Sequence, residues 1–344
     1  MQRKTKLTFA TMNLVTGATG ILGSHLIIAL LSRGRAVRAL RRSSSSTALF
    51  YRLAEHVKLP STCLERLTWM DGDVLDIPSL EEAMVDCTHM FHCAAVVSYH
   101  PRDRKMMYET NIEGTANVVN VALRQGGIRL CHVSSIAAIG KAKNMDHVDE
   151  ESEWVESSTN THYATTKHLS EMEVWRGFHE GLSGVIVNPG IIIGMGEDHR
   201  SSGSLIARIR KGISYYPMGG TGIVSASDCA EMMIALSDDA VEAERYILVS
   251  DNLSMKEVFQ DLAKALNAQI PNKVATPLIL GIARWAEWLK EKLTGKRALI
   301  TAESARNTSL RYFYSNKKIL EKTGLRFTPI SETMADLAKV HQDR

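Results

Sequence analysis

A chain of 344 residues, 44% apolar and 23% charged, is long enough for about two folding units and too apolar for extensive disorder. Its 41 basic and 38 acidic side chains leave a formal charge of +3, a balance that argues against a life on nucleic acid or on an anionic bilayer. Five scattered cysteines (Cys63, Cys87, Cys93, Cys131, Cys229), odd in number and without a C-x-x-C pair, read as reduced intracellular thiols rather than a disulfide framework or a zinc site.

The N-terminus, MQRKTKLTFATM, is cationic but runs straight into a strand and a glycine turn. That argues against a cleaved leader and leaves Met12 as an alternative start. From there short apolar runs alternate with helical stretches. Strands are expected at Met12–Thr16, Ala36–Leu40, Leu67–Asp71, His89–Ala94, Arg129–Ser134 and Gly184–Asn188. Helices are expected at Ile21–Arg33, Pro78–Val85, Met106–Arg124 and Tyr163–His179. This rhythm implies βαβ units and a parallel sheet covered on both faces. After Asn188 glycines crowd 190–222 around a helical stretch at Leu205–Lys211. Ser227–Leu236 then reads as a helix and Arg245–Val249 as the last sheet strand.

The expected architecture is a doubly wound Rossmann-type α/β sheet with a smaller, mainly helical C-terminal substrate lobe. The nucleotide-binding part takes 1–188, with 223–250 returning to it, and the substrate lobe takes 189–222 and 251–344. In the tail, Leu278, Ile282, Trp285, Leu289 and Leu293 recur at three- and four-residue steps, one helical face. Such a face ordinarily packs on its own lobe; Trp285 and Trp288 among Arg284, Lys290 and Lys292 also suit a helix lying against lipid. No apolar run approaches the roughly 18 residues of a membrane span. A cytoplasmic protein without an integral membrane segment is expected.

Thr16-Gly17-Ala18-Thr19-Gly20-Ile21-Leu22-Gly23 follows a strand and opens a helix, the context in which a G-x-x-G-x-x-G turn cradles a dinucleotide. Gly17 permits the turn, Gly20 lets amides approach pyrophosphate, and Gly23 lets the helix lie close to the sheet. Thr19, Ile21 and Leu22 share this candidate site. At the end of the second strand an NAD enzyme usually carries an acid for the ribose 2′-hydroxyl; here Arg41, Arg42 and Ser43 stand instead. Guanidinium forks suit a 2′-phosphate, so NADP is expected rather than NAD. Asp73 and Val74, after the next strand, are candidates for the adenine.

Tyr163 and Lys167 form a Y-x-x-x-K at a helix start, phenol and ammonium on one face. A nearby cation favours phenolate and brings a tyrosine toward the working pH. Ser134-Ser135 end a parallel strand, where a hydroxyl can bond a substrate oxygen.

This combination resembles the extended short-chain dehydrogenase/reductase family over nearly the whole chain. The motifs are TGATGILG, DGDVLD, HCAA (His92–Ala95), NIEGT (Asn111–Thr115), HVSSIAAIG (His132–Gly140), YATTK, NPGIIIGMG (Asn188–Gly196) and, from Tyr314, YSNKKILEKTGLRFTPI. The resemblance implies that Ser135 positions the substrate, Tyr163 is the general acid/base, and Lys167 tunes it; the ammonium of Lys167 also suits the nicotinamide ribose hydroxyls. It also implies that Ala94, Ala95, Val96, Asn111 and the Pro189, Gly190, Ile191, Ile192 backbone line the nicotinamide half, with Asn188 on the substrate side. Homodimers built by the helices carrying Asn111 and Tyr163 are a further implication. His92 and His132 read as strand residues in core or supporting roles; His162 sits nearer the cleft. None has metal-ligand spacing, and Cys93 reads as apolar packing beside the groove.

Dehydratases of this kind place acids after the catalytic hydroxyl; Ser135 is followed by Ile136, Ala137 and Ala138. Epimerases usually show Tyr-Gly where Ile139-Gly140 stands. The nearest branches resemble dihydroflavonol reductases and 3β-hydroxysteroid dehydrogenases, which act on a carbonyl or alcohol of a bulky, apolar small molecule. The leading expectation is therefore NADPH-dependent carbonyl reduction, with a pocket from 194–222 and the tryptophan-bearing tail helix. Nucleotide-sugar epimerisation and a non-catalytic NADP-sensing or assembly role are the alternatives.

Overall fold

Side chains that alternate along each strand sort the core into two layers. Leu14, Met90, Leu130 and Ile186 enter one apolar cluster, while Val15, Phe91, Cys131 and Val185 enter the other, as a pleat of period two requires. The structure, a computed structural model, describes residues 11–140, 147–157, 160–197, 201–298, 300–307 and 310–342. The cationic stretch 1–10, on which the expectation of no cleaved leader bears, lies outside the described residues.

The strands run, in chain order, β1 (Met12–Thr16), β2 (Ala36–Arg41), β3 (Leu67–Asp71), β4 (Cys87–His92), β5 (Arg129–Val133), β6 (His147–Val148), β7 (Ser183–Pro189), β8 (Ile191–Ile193), β9 (Tyr215–Tyr216), β10 (Gly220–Ser225), β11 (Glu244–Leu248), β12 (Asp251–Ser254), β13 (Lys273–Val274) and β14 (Phe313–Tyr314). Seven of them lie side by side in the order β3, β2, β1, β4, β5, β7, β11, every neighbouring pair parallel. The order reverses between β1 and β4, where the carboxyl ends of the strands leave a crevice. Helices Ile21–Ser32 and Ala226–Asp238 pack together on one face. Gly114–Gln125 and His162–His179 pack together on the other.

Beyond this sheet, β8, β10 and β12 form a second one, antiparallel only between β10 and β12. Two-stranded ribbons join β9 to β13 and β6 to β14. The tail is helical at Met255–Ala265, Pro277–Thr294, Lys317–Thr323 and Ile330–Gln342. No described helix is long and apolar enough to cross a membrane.

Three differences from the sequence reading have physical causes. β4 ends at His92, not Ala94, because the Gly17 turn comes up against Cys93 and Ala94 and takes the chain out of the sheet. The helix expected over 106–124 is broken by a π-turn at Glu109–Glu113, between Arg104–Tyr108 and Gly114–Gln125. Such single turns recur at functional sites, and this one contains Asn111. The tail helix Pro277–Thr294 does not pack through its apolar stripe: Leu278, Ile282, Trp285, Leu289 and Leu293 are all exposed, and no residue of the helix is buried.

Candidate active site

The glycine turn is shaped for a ligand's backbone contacts. Gly17 has φ +65°, and a Cβ there would lie 2.6 Å from Cys93 C and Ala94 N. A Cβ on Gly23 would meet Gly17 O at 2.3 Å, so helix and turn could not approach. Helix Ile21–Ser32 begins after Gly20 with no side-chain cap, leaving first-turn N–H groups for an anion. Above the turn runs a groove of about 210 Å³. Gly17, Thr19, Gly20, Ile21, Arg41, Arg42, Asp73, Val74, Ala94, Ala95 and Val96 line it, as do Cys93 and the unexpected Ser45, Leu49, Thr110 and Glu197.

Several candidates do not reach this groove. Ser43 is exposed and off it, and Ser45, two residues on, takes its place. Leu22 turns into the core, leaving only its backbone for a phosphate. At the end of β2 Arg41 Nε bonds Asp71 Oδ1 at 3.0 Å, while Arg42 is exposed. Asp73 Oδ1 accepts from Leu75 N at 3.0 Å.

The two serines after β5 divide their work. Ser134 Oγ donates to the buried carboxylate of Glu171 at 2.7 Å. Ser135 Oγ hydrogen-bonds the Tyr163 phenol and accepts from Ala137 N at 3.1 Å. Burial pushes the phenol's pKa up, and the bond to Ser135 opposes the rise. The lowering expected from Lys167 is not among the influences on the phenol here, since the Lys167 ammonium is turned to Val133 O at 2.7 Å. Burial brings Lys167 itself down to about 8, with Glu171 pulling the other way. The Tyr99 ring stands edge-on to Tyr163, centroids 6.1 Å apart.

Asn188 is a correction. Fully buried, its Nδ2 donates to Ser135 O at 3.0 Å and to Glu171 Oε2 at 2.9 Å, so it holds the serine's backbone instead of facing a substrate. Asn111 also works through backbone: it accepts from Val96 N at 2.7 Å, donates to Val96 O at 3.0 Å and donates to Thr166 Oγ1 at 3.0 Å. It fixes the loop after β4 without lining the groove. Pro189 is buried at the end of β7, and Gly190 passes so close to Gly222 O that a Cβ would lie 2.3 Å away. Ile191 and Ile192 are half-buried in β8, paired to Ile223 and Val224.

Residues 13–248 match the NAD dependent epimerase/dehydratase family. The chain belongs to that family. It is an NAD(P)-dependent oxidoreductase of the extended short-chain dehydrogenase/reductase kind. A Synechocystis sp. protein carrying the provisional name dihydroflavonol 4-reductase is 28% identical over 331 residues, 94% of this chain and 92% of that one. Sterol demethylase protein B of Methylococcus capsulatus is 31% identical over 293 residues, 83% of this chain and 84% of that one. Among solved structures, UDP-glucose 4-epimerase from Bifidobacterium longum, in complex with NAD+ and UDP, superposes with a TM-score of 0.75 at 19% identity, over 97% of this chain and 99% of that one. At that identity the likeness is one of fold.

In this family member the least expected group is Glu171. It is fully buried, bonds Ser134 and Asn188, and pairs with Arg245 Nη1 at 3.2 Å. Arg245 in turn donates to Glu150 O at 2.7 Å and Ser152 O at 3.1 Å, tying β11 to the segment after β6. The signal was present in the sequence: 163, 167 and 171 share one helix face at four-residue steps. Of the histidines, His92 lies between Thr16 Oγ1 at 2.7 Å and Thr115 Oγ1 at 3.0 Å and is kept neutral by burial, its pKa lowered to about 3. His132 leans on it, centroids 5.3 Å apart, its buried ring nitrogens without hydrogen-bond partners among the described residues. His162 Nδ1 meets Tyr108 OH at 3.4 Å, and its N–H donates to Glu303.

Proposed function

We propose that the chain reduces an aldehyde or ketone on a bulky, largely apolar skeleton with NADPH, or oxidises the matching secondary alcohol. The observation that carries this reading is the hydroxyl pair of Ser135 and Tyr163, with Lys167 one helical turn beyond the phenol. The glycine cradle and its uncapped helix start fit a dinucleotide. Gly17, Thr19, Gly20 and Ile21 would hold the pyrophosphate, Asp73 and Val74 the adenine, and Ala94, Ala95 and Val96 the nicotinamide side. Arg41 and Arg42, with no acid at the end of β2, favour a 2′-phosphate.

NADPH, when bound, supplies the hydride. Ser135 orients the carbonyl oxygen, and Tyr163 gives that oxygen its proton as negative charge develops. Burial keeps the proton on the phenol at neutral pH, the form a reductase needs. Lys167, still charged at neutral pH, stabilises the phenolate left behind and holds the nicotinamide ribose. The names of the two relatives, a dihydroflavonol and a sterol enzyme, support the apolar skeleton, and the run Ile136-Ala137-Ala138 argues against elimination. Residues 189–222 and 251–344 would form the substrate lobe. Exposed Met106, Leu169 and Met172, on the helices beside Asn111 and Tyr163, suit pairing of two copies, and five free thiols suit the cytoplasm.

Following NADPH absorbance across hydrophobic ketones, aldehydes and nucleotide sugars tests the reaction. NADPH consumption with the apolar carbonyls is expected. Conversion of a nucleotide sugar by co-purified NAD, with no NADPH consumed, would replace reduction by epimerisation. Arg42→Glu should lower NADPH affinity about tenfold or more relative to NADH. Equal affinity of the unaltered chain for both cofactors contradicts the 2′-phosphate assignment.

A further inference from the structure

The tail helix Pro277–Thr294 is turned the wrong way round for a helix of one chain alone. Ile279, Leu280, Ala283, Glu287 and Glu291 are its half-buried side. Its leucine, isoleucine and tryptophan stripe points out: Leu278, Ile282, Trp285, Leu289 and Leu293 are between 36% and 77% exposed, and Trp288 flanks them at 52%. Monomers rarely leave so continuous an apolar strip bare. Three residues before the helix, β13 exposes Val274, and its neighbourhood in sequence exposes Ile270.

The charges beside the stripe are of one sign. The only acids of the helix, Glu287 and Glu291, are committed: Glu287 to Lys290 at 3.1 Å, Glu291 to Arg102 at 2.8 Å. Arg284, Lys292 and Lys296 are exposed and have no ion pair among the described residues. The whole-chain balance of +3 thus conceals a basic rim around an apolar strip bearing two tryptophans. Two copies packed through this strip would bring like charges together along the seam. A lipid surface with anionic headgroups matches both the strip and the rim, and indole rings favour that depth.

The helix also sits at the cleft. Glu291 Oε2 meets His100 Nε2 at 3.3 Å, Arg297 pairs with Asp103 at 3.0 Å, and Tyr99, next to His100, carries the ring that abuts Tyr163. We propose that the outward face of Pro277–Thr294 docks on an anionic phospholipid bilayer, setting the catalytic mouth at the membrane surface. Resting on the carbonyl-reductase reading, the substrate class narrows to apolar carbonyl compounds dissolved in the bilayer.

The full chain is sedimented with phosphatidylglycerol vesicles and, separately, with phosphatidylcholine vesicles, while tryptophan emission is recorded. Binding to phosphatidylglycerol, a blue shift, and weakening by salt are expected. Trp285→Glu should bind about tenfold less tightly while its circular dichroism and its affinity for NADPH stay unchanged. Failure to bind phosphatidylglycerol, or binding that Trp285→Glu leaves intact, overturns the docking surface. So does a dimer in light scattering that Trp285→Glu dissolves, which would assign the strip to a second copy. Vesicle binding is read without turnover, so loss of the reductase reading alone would leave this result standing.

Discussion

Helix Ile21–Ser32 and helix Pro277–Thr294 are both built on leucine and isoleucine, and they end in opposite environments. The first buries eight of its twelve residues, among them Leu26, Ile27, Leu30 and Leu31, between the sheet and helix Ala226–Asp238. The second buries none. Apolar composition therefore does not settle burial; what a helix is connected to does. Ile21–Ser32 is bound to β1 and β2 by short turns and must lie on the sheet. Pro277–Thr294 is held at its far end by Glu291 and Arg297, through ion pairs that fix one side and leave the stripe outside.

The sharpest way to break this contrast is to cut the two stripes alike. Leu26→Ala should cost about 2–5 kcal/mol of unfolding free energy, because the cavity it leaves is closed on every side. Leu278→Ser should change stability by no more than about 0.5 kcal/mol in urea unfolding without lipid. Equal costs would mean that the tail stripe is covered in the monomer.

A smaller effect separates helix His162–His179 from both. Folding lowers Lys167 to about 8 from its ordinary value of 10.5, so between those values the unfolded chain holds a proton that the folded chain has released. Stability contributed by this group therefore rises as pH climbs from 8 to 10. Buried thiols such as Cys131, kept protonated by burial, pull the other way, so the quantity to read is wild type minus Lys167→Met. That difference should shift in favour of wild type by on the order of 2 kcal/mol across the window. Smaller than the Lys167 effect is that of Gly281→Ala: nothing lies within 4 Å of the added methyl, and helix propensity alone should stabilise by about 0.5–1 kcal/mol.

Legibility in the sequence followed the same division. The glycine turn, β1 to β5 and the Tyr163 helix were readable because each depends on neighbours within a few residues: a φ only glycine adopts easily, a strand of period two, a four-residue step. Glu197 and Thr110 in the groove were not, since they arrive from distant segments and carry no local mark. Asn188 was misread for a related reason. Its motif places it at the site, but only three-dimensional contact reveals that its Nδ2 donates to Ser135 O and Glu171. Helix Ala48–His56 was also missed, although Thr47, a residue type that often opens helices, stands at its N-cap position. The outward turn of the tail stripe is set by Glu291 meeting residues nearly two hundred positions away.

The measurement closest to the central claim is single-turnover oxidation of bound NADPH by an apolar ketone in the Tyr163→Phe chain. Cofactor affinity is checked by NADPH fluorescence. With the phenol as proton donor, the cofactor should bind as before while hydride transfer slows by about 10²–10⁴-fold. Transfer at the wild-type rate with cofactor bound would contradict the role given to Tyr163.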